Sequence, residues 1–370
     1  MQHFATGNLG SAGKYLVSFR GVRKSYDNRT MIVKDLNLDV FDGEFLTFLG
    51  PSGSGKSTTL MMLAGFEQQS AGSIEVAGRR IDSLPAYKRD IGMVFQNYAL
   101  FPHLTVAENI AYPLKVRRVD RVERDRLVRS ALDMVQMSQF ADRKPGSLSG
   151  GQQQRIALAR ALVFGPKLVL MDEPLGALDK QLREHMQYEI KRIHDRVGCT
   201  TIYVTHDQSE AMVMSDRIAV FANGRVEQLA SPAEIYRNPA TDFVASFIGE
   251  NNIFQATVVK ADDGVATVDI GENRHIRVPA APVTDVGSRI KVSVRPEDVS
   301  LAPLDGADQQ QNAIQATVKE AFFLGDHARI SLAIGEDLEL LLKMPAAANI
   351  ALGDKVKAVW DIASTRAFQS

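Results

Sequence analysis

The sequence predicts an α/β domain built on a parallel sheet, followed by a smaller all-β domain. Three observations predict it. A glycine-rich stretch, Gly50-Pro51-Ser52-Gly53-Ser54-Gly55-Lys56-Ser57, stands between the strand-like EFLTFLG and the apolar helical run TTLMMLAGF. Near-continuous apolar segments, LVLM at 168–171 and TIYVTH at 201–206, alternate with long charged helical stretches, the pattern of strands buried on both faces. Beyond residue 249 the text changes to short alternating strands with turn signals at Asp263-Gly264 and Gly325-Asp326, the pattern of an all-β barrel.

Length and composition agree with two domains. The 370 residues exceed one typical domain, and 45% hydrophobic with 24% charged residues is ordinary for a globular chain. Lys and Arg number 43 against 44 Asp and Glu, a net charge of -1, so no bulk electrostatic pull toward nucleic acid is expected. The single cysteine, Cys199, permits no internal disulfide and reads as structural, in a reducing setting. No apolar run of 18 residues occurs, and the opening MQHFATGNLGSAGKY has neither a basic n-region nor an apolar h-region, so neither a membrane span nor export is expected.

Along the chain, residues 1–14 read as a disordered leader and 15–249 as the α/β domain. Inside it, about 97–165 reads as an inserted helical subdomain. Its basic run at 117–129 is interspersed with Asp120, Glu123 and Asp125, which favours a solvated helix face over a lipid-binding patch. Residues 250–370 form the β domain. There Gln255-Ala256-Thr257-Val258 returns as Gln315-Ala316-Thr317-Val318, each opening a candidate hairpin, which suggests two similar half-barrels in tandem.

The chemistry begins at residues 50–57, which fit G-x(4)-G-K-[ST]. Glycines allow successive backbone N–H groups to turn inward as an anion nest, and the following helix adds its positive N-terminal end. Lys56 is placed to reach the β and γ phosphates of a nucleotide, and Ser57 to ligate Mg2+. The apolar strand LVLMDE ends abruptly in two carboxylates. Asp172 suits Mg2+, and Glu173 suits a general base acting on the attacking water. In LSGGQQQRIALARA, Ser149 before Gly150 and Gly151 opens a helix with a second anion-facing N-terminus.

With this segment the chain resembles the nucleotide-binding subunit of ATP-binding cassette (ABC) transporters, over about residues 15–250 and with every motif in order. The resemblance implies an α/β P-loop NTPase fold binding ATP and Mg2+. It assigns Tyr26 to adenine stacking, and Gly50, Ser52, Gly53, Ser54, Gly55, Lys56, Ser57 and Thr58 to the phosphates. Ser57, Gln96 and Asp172 become the magnesium set, and Glu173, His206 and Gln96 the catalytic set. His206 with Glu210 one turn on also resembles a metal pair, but no third ligand appears. Ser149, Gly150, Gly151 and Gln152, with Asp179, are implied to act across a homodimer, on nucleotide held by the partner chain. Gly176 stands where the family often has serine or threonine. Met61, Met62, Met212 and Met214 read as core filling.

The tail refines the resemblance. Val294-Arg295-Pro296-Glu297-Asp298, set between alternating strands, is similar to the OB-fold-like (TOBE-like) regulatory barrel of importer ATPases. Residues 251–370 hold 12 Lys and Arg against 16 Asp and Glu, a net of -4 and a poor nucleic-acid groove, so no nucleic-acid partner is expected. The resemblance implies two separate transmembrane permease subunits that dock near Gln96 and 97–104, a periplasmic solute-binding protein acting indirectly, and a peripheral place on the cytoplasmic face of the inner membrane. The stretch FIGENNIFQATVV is most similar to polyamine (spermidine/putrescine) importers. Iron, phosphonate and sugar importers remain alternatives, as does a soluble ABC ATPase whose tail binds nucleic acid or a regulator.

Overall fold

The computed structural model describes residues 14–27, 29–262, 264–280, 285–302, 311–345 and 350–369. Apart from Lys14, the expected leader lies outside the described residues. Two compact units result, one ending at Ile235 and the other starting at Tyr236. The change of sequence pattern falls later, at 249. Arg295 explains why 236–250 joins the β unit: its buried guanidinium donates to the carbonyls of Tyr236, Ile248 and Glu250 and lies 4.2 Å over the Tyr236 ring.

The first unit runs β1 (Tyr15–Ser25), β2 (Met31–Phe41), β3 (Phe45–Leu49), α1 (Lys56–Ala64), β4 (Ala71–Val76), β5 (Arg79–Arg80) and β6 (Gly92–Val94). Three helices follow, α2 (Val106–Val116), α3 (Arg121–Met134) and α4 (Gly150–Leu162). The chain then returns as β7 (Leu168–Asp172), α5 (Lys180–Val197), β8 (Thr200–Thr205), α6 (Gln208–Met214), β9 (Arg217–Ala222) and β10 (Arg225–Ala230). The point of division lies in α7 (Pro232–Arg237).

The principal sheet has the order β10-β9-β3-β8-β7-β6, parallel except for β10. Its central strands β3, β7, β8 and β9 are buried almost throughout because both faces are covered, whereas the edge strand β10 is only partly buried. Along β3, Phe45 packs with the helices α2–α5, whereas Leu46 and Phe48 pack with α1 and the strands β1 and β2. A separate antiparallel sheet, β2-β1-β4-β5, takes up the N-terminal strands. The sequence pattern shows these strands but not their separation from the parallel sheet.

Parallel strands end on one edge, and the register fixes which residues meet there. Leu49 lies opposite Thr205, and Asp172 opposite Val204, so Gly50, Asp172-Glu173 and His206 emerge side by side. The carboxyl edge of such a sheet is where open α/β folds bind ligands.

The second unit contains α8 (Asp242–Phe247), β11 (Asn252–Asp262), β12 (Val265–Asp269), β13 (His275–Pro279), β14 (Arg289–Val294), β15 (Ser300–Ala302), β16 (Gln311–Phe323), β17 (His327–Ile334), β18 (Leu338–Pro345), β19 (Lys355–Asp361) and β20 (Arg366–Gln369). They form two antiparallel sheets, β13-β12-β11-β14-β20 and β15-β19-β16-β17-β18. The four-residue repeat is the trace of a real duplication. Val258 and Val318 each stand at a register shift in a long strand, and each accepts a backbone hydrogen bond from a turn glycine, Gly287 and Gly353. The halves interlock. Asn252 of the first sheet bonds both backbone groups of Leu341 in the second, and Asn312 of the second bonds both backbone groups of Arg277 in the first. The short strands cross over too, β15 pairing with β19 and β20 with β14.

Candidate functional site

Residues 50–57 leave β3 and enter α1 through a turn that only glycine fits. Gly55 has φ of +99°, and a Cβ there would lie 2.8 Å from the Ile32 carbonyl; at Gly50 a Cβ would lie 2.3 Å from the Phe221 carbonyl. Gly55 caps α1 without any side-chain hydrogen bond, and no acid stands in the first turn. The opening amides of α1 therefore face an anion without competition. Lys56 is 4% exposed, and its Nζ donates to the carbonyls of Gly50 and Pro51 at 2.8 Å and lies 3.5 Å from Ser54 Oγ. Burial lowers its pKa, opposed by the charges of Glu173 and Asp172. Ser52 and Gly53 are exposed and Thr58 is half-buried on α1.

Ser57 Oγ donates to Asp172 Oδ1 at 2.9 Å. Burial raises the Asp172 pKa; the Ser57 hydrogen bond works against it and the neighbouring Glu173 charge with it. A hydroxyl and a desolvated carboxylate are hard oxygen donors, a set that fits Mg2+. The next residue, Glu173, has φ of +44°, unusual for a non-glycine side chain and held by hydrogen bonds from its amide to Val204 O and from the Gly176 amide to its carbonyl. Its Oε1 lies 3.3 Å from His206 Nδ1. Gln96, past β6 and exposed, brings its Nε2 to 3.7 Å from where a Cβ on Gly176 would sit, so a side chain at Gly176 meets only ordinary contacts.

Tyr26 follows β1 and is 61% exposed, with Lys24 Nζ 4.5 Å from its ring centroid. Asp27 fixes the turn by accepting from the amides of Thr30 and Arg29, which hold its carboxyl down at about 2. Met31–Phe41 then carries Ile32 against Gly55.

The signature residues, Leu148-Ser149-Gly150-Gly151-Gln152, form a second group. Ser149 caps α4 in a reciprocal pair with Gln152, Ser149 accepting from the Gln152 amide and Gln152 Oε1 from the Ser149 amide. Cβ atoms on Gly150 and Gly151 would lie 3.1 Å from Leu178 and Leu182, so this turn packs on the segment around Asp179, which caps α5. Among the described residues, no hydrogen bond or ion pair links it to residues 50–57 of the same chain.

Sequence reasoning missed a network behind His206. Tyr203 and Thr205 both donate to buried Glu210, at 2.7 and 2.6 Å, and Arg183 donates to Asp207 and Leu178. Glu210 is thus a core acceptor, and among the described residues no cluster of three or more His, Cys, Asp or Glu is placed to hold a metal. It also missed Arg160 of α4, which donates to the carbonyls of Tyr98 and Ala99, two consecutive non-glycine residues at positive φ. The available signal was Arg160 on an otherwise apolar stretch of helix. Cys199 is buried, and burial raises its thiol pKa.

A family model described as ABC transporter matches residues 33–176, and one described as TOBE domain matches 292–368. The spermidine/putrescine import ATP-binding protein PotA of Thermobifida fusca is 44% identical over 349 residues, 93% of this chain and 90% of the relative. The chain belongs to the ATP-binding subunits of ABC transporters. The same-named protein of Photobacterium profundum is 46% identical over 84% of this chain and 83% of its own. Among solved structures, a dimeric post-hydrolysis state of the ATP-binding cassette MJ0796 bound to ADP and Pi is 34% identical, covering 58% of this chain and 98% of that one, with a TM-score of 0.53. The cassette cbiO1 from Clostridium perfringens, part of the complex cbiONQ, is 27% identical over 61% of this chain and 92% of that one, with a TM-score of 0.57. The 370-residue chain itself is an ABC-type ATPase with a C-terminal TOBE domain.

Proposed function

We propose that the cassette drives the import of a polyamine, spermidine or putrescine, through two separate permease subunits, working as a homodimer on the cytoplasmic face of the cell membrane. The observation that carries this reading is full-length likeness: polyamine-import relatives at 44–46% identity span the ATPase and the tail together. No helix among the described residues is long and apolar enough to cross a membrane, which agrees with separate permeases.

In this reading the amides of residues 50–57 and Lys56 hold the β and γ phosphates, and the exposed face of Tyr26 stacks the adenine. Ser57, Asp172 and Gln96 would hold Mg2+, which would supply charge neutralisation at the phosphates when bound. Glu173 takes a proton from the water whose oxygen bonds to the γ phosphorus as the bond to the bridging oxygen breaks, giving ADP and phosphate. His206 contacts the γ-phosphate and is oriented by Glu173. Ser149, Gly150, Gly151, Gln152 and Asp179 close over the partner's nucleotide, consistent with their standing apart from residues 50–57 of their own chain.

A groove of about 430 Å3 beside the Gln96 loop, lined by Tyr87, Phe95, Phe101, Tyr112 and Phe164, suits a permease helix, with a periplasmic solute-binding protein delivering solute on the far side. Deleting the gene and measuring labelled spermidine uptake tests the reading. Loss of spermidine and putrescine uptake, restored by the wild-type gene but not by a Glu173→Gln copy, supports it. Unchanged polyamine uptake with lost iron, phosphonate or sugar uptake overturns the solute while leaving the ATPase role.

A further inference from the structure

We propose that Arg183 is a positioning residue: it ties the segment around Asp179 to the residues on either side of His206, so that the place of the histidine depends on the place of that segment. The inference rests on the reading of His206 as the γ-phosphate contact. Arg183 lies in the first turn of α5, its amide bonded to the Asp179 carbonyl at 2.9 Å. Its guanidinium spans two elements, Nη2 donating to Leu178 O and Nη1 to Asp207 Oδ2, both at 3.1 Å.

Asp207 directly follows His206 and is held on every side. Its Oδ1 accepts from the amides of Ser209 and Glu210 at the start of α6, and its own amide donates to Thr205 Oγ1 at 3.0 Å. Thr205, on the other side of His206, donates in turn to Glu210, which is 3% exposed. The histidine is thus strung between two anchored neighbours; Arg183 bonds one of them, Asp207, to α5, and reaches Thr205 only through the Asp207 amide. The far end reaches further, because Leu178 packs where a Cβ on Gly150 would lie, at the signature turn. A continuous path therefore leads from the signature through Leu178, Arg183 and Asp207 to His206 and Glu173.

The path has slack. Arg183 Nε is buried with no hydrogen-bond partner among the described residues and stands 3.9 Å from Glu210 Oε1, near enough for attraction and too far for a hydrogen bond. A shift of about one ångström in the Leu178 segment brings that bond within range and draws Asp207 with it. Arg183 and Asp207 keep side-chain exposures of 29% and 24%, so their pairing contributes little to stability and its value lies in geometry.

The test uses the full chain and two variants. Asp207→Asn keeps the Oδ1 acceptor that caps α6 but replaces the oxygen that accepts from Arg183; Arg183→Gln removes the bridge from the other side. Each is expected to lower kcat for ATP by about tenfold while KM stays within about twofold. In 13C-edited spectra of the seven histidines, the His206 signal, identified by its loss in His206→Ala, shifts in both variants while the others hold. Turnover within about twofold of wild type in Asp207→Asn, or lowered turnover with the His206 signal unmoved, overturns the proposal. Should Arg183→Gln fail to fold, Asp207→Asn decides alone. Wild-type turnover in His206→Ala refutes the reading of His206 instead, and the spectra still decide whether Arg183 fixes the ring.

Discussion

Glu173 allows catalysis and backbone strain to be separated by two substitutions at one position. Its φ of +44° places an L side chain in the left-handed region, which costs about 1–2 kcal/mol. Glycine removes that cost but gives the unfolded chain extra freedom worth about 0.5–1 kcal/mol. Glutamine keeps the strain and the shape. Both substitutions also remove the Glu173 charge that helps raise the Asp172 pKa, so that electrostatic effect cancels in the difference between them. Glu173→Gly should be more stable than Glu173→Gln by about 0.5–1 kcal/mol, raising the melting midpoint of the ATPase unit by about 1–4 °C. Both should lose hydrolysis by about 10²- to 10⁴-fold while ATP binding persists. Differential scanning fluorimetry and a phosphate-release assay measure the two effects. A glycine variant that melts below the glutamine variant refutes the strain argument, and near-wild-type turnover in Glu173→Gln refutes the assignment of the base.

Other expectations are as direct. Lys56→Ala removes the buried ammonium from the loop and should weaken ATP binding at least about tenfold in a fluorescent-nucleotide titration. Ser149→Arg should leave ATP binding to the isolated chain unchanged while abolishing ATP-dependent dimers in size-exclusion chromatography; dimers that persist would remove Ser149 from the interface. Chelating Mg2+ with EDTA should stop phosphate release, and turnover that continues would show that Ser57 and Asp172 do not need the ion. Asn252→Ala leaves both backbone groups of Leu341 without their partners, at about 1–3 kcal/mol each, so the tail should melt lower by roughly 5–15 °C with ATP hydrolysis intact.

Much of the site is legible in the text because its chemistry interrupts regular patterns. Glycines and a lysine break the passage from strand to helix at 50–57, two carboxylates end an otherwise apolar β7, and His206 follows the last residue of β8. Parallel pairing then brings all three to one edge, so alternation of strand and helix suffices to juxtapose them. What escapes the sequence depends on tertiary neighbours. Arg183 reads as one more charge on an amphipathic helix, because nothing local reveals that Leu178 and Asp207 will stand within its reach. Strands β1 and β2 have the same alternation whether they join the parallel sheet or form their own. Strands β15 and β20, three and four residues long, are too short to show a period, and only the QATV repeat hints at the duplication they complete.

Those two short strands have a consequence for the whole tail. Arg366–Gln369, late in the chain, finish the edge of the sheet made first, and Ser300–Ala302 finish the edge of the sheet made second. Ribosomal synthesis must therefore pass residue 369 before the earlier sheet is closed, and a stop codon just ahead of Arg366 would strip its border while leaving every strand of the later sheet in place. The tail is thus a clasp whose two jaws are each latched by a strand from the other half of its sequence.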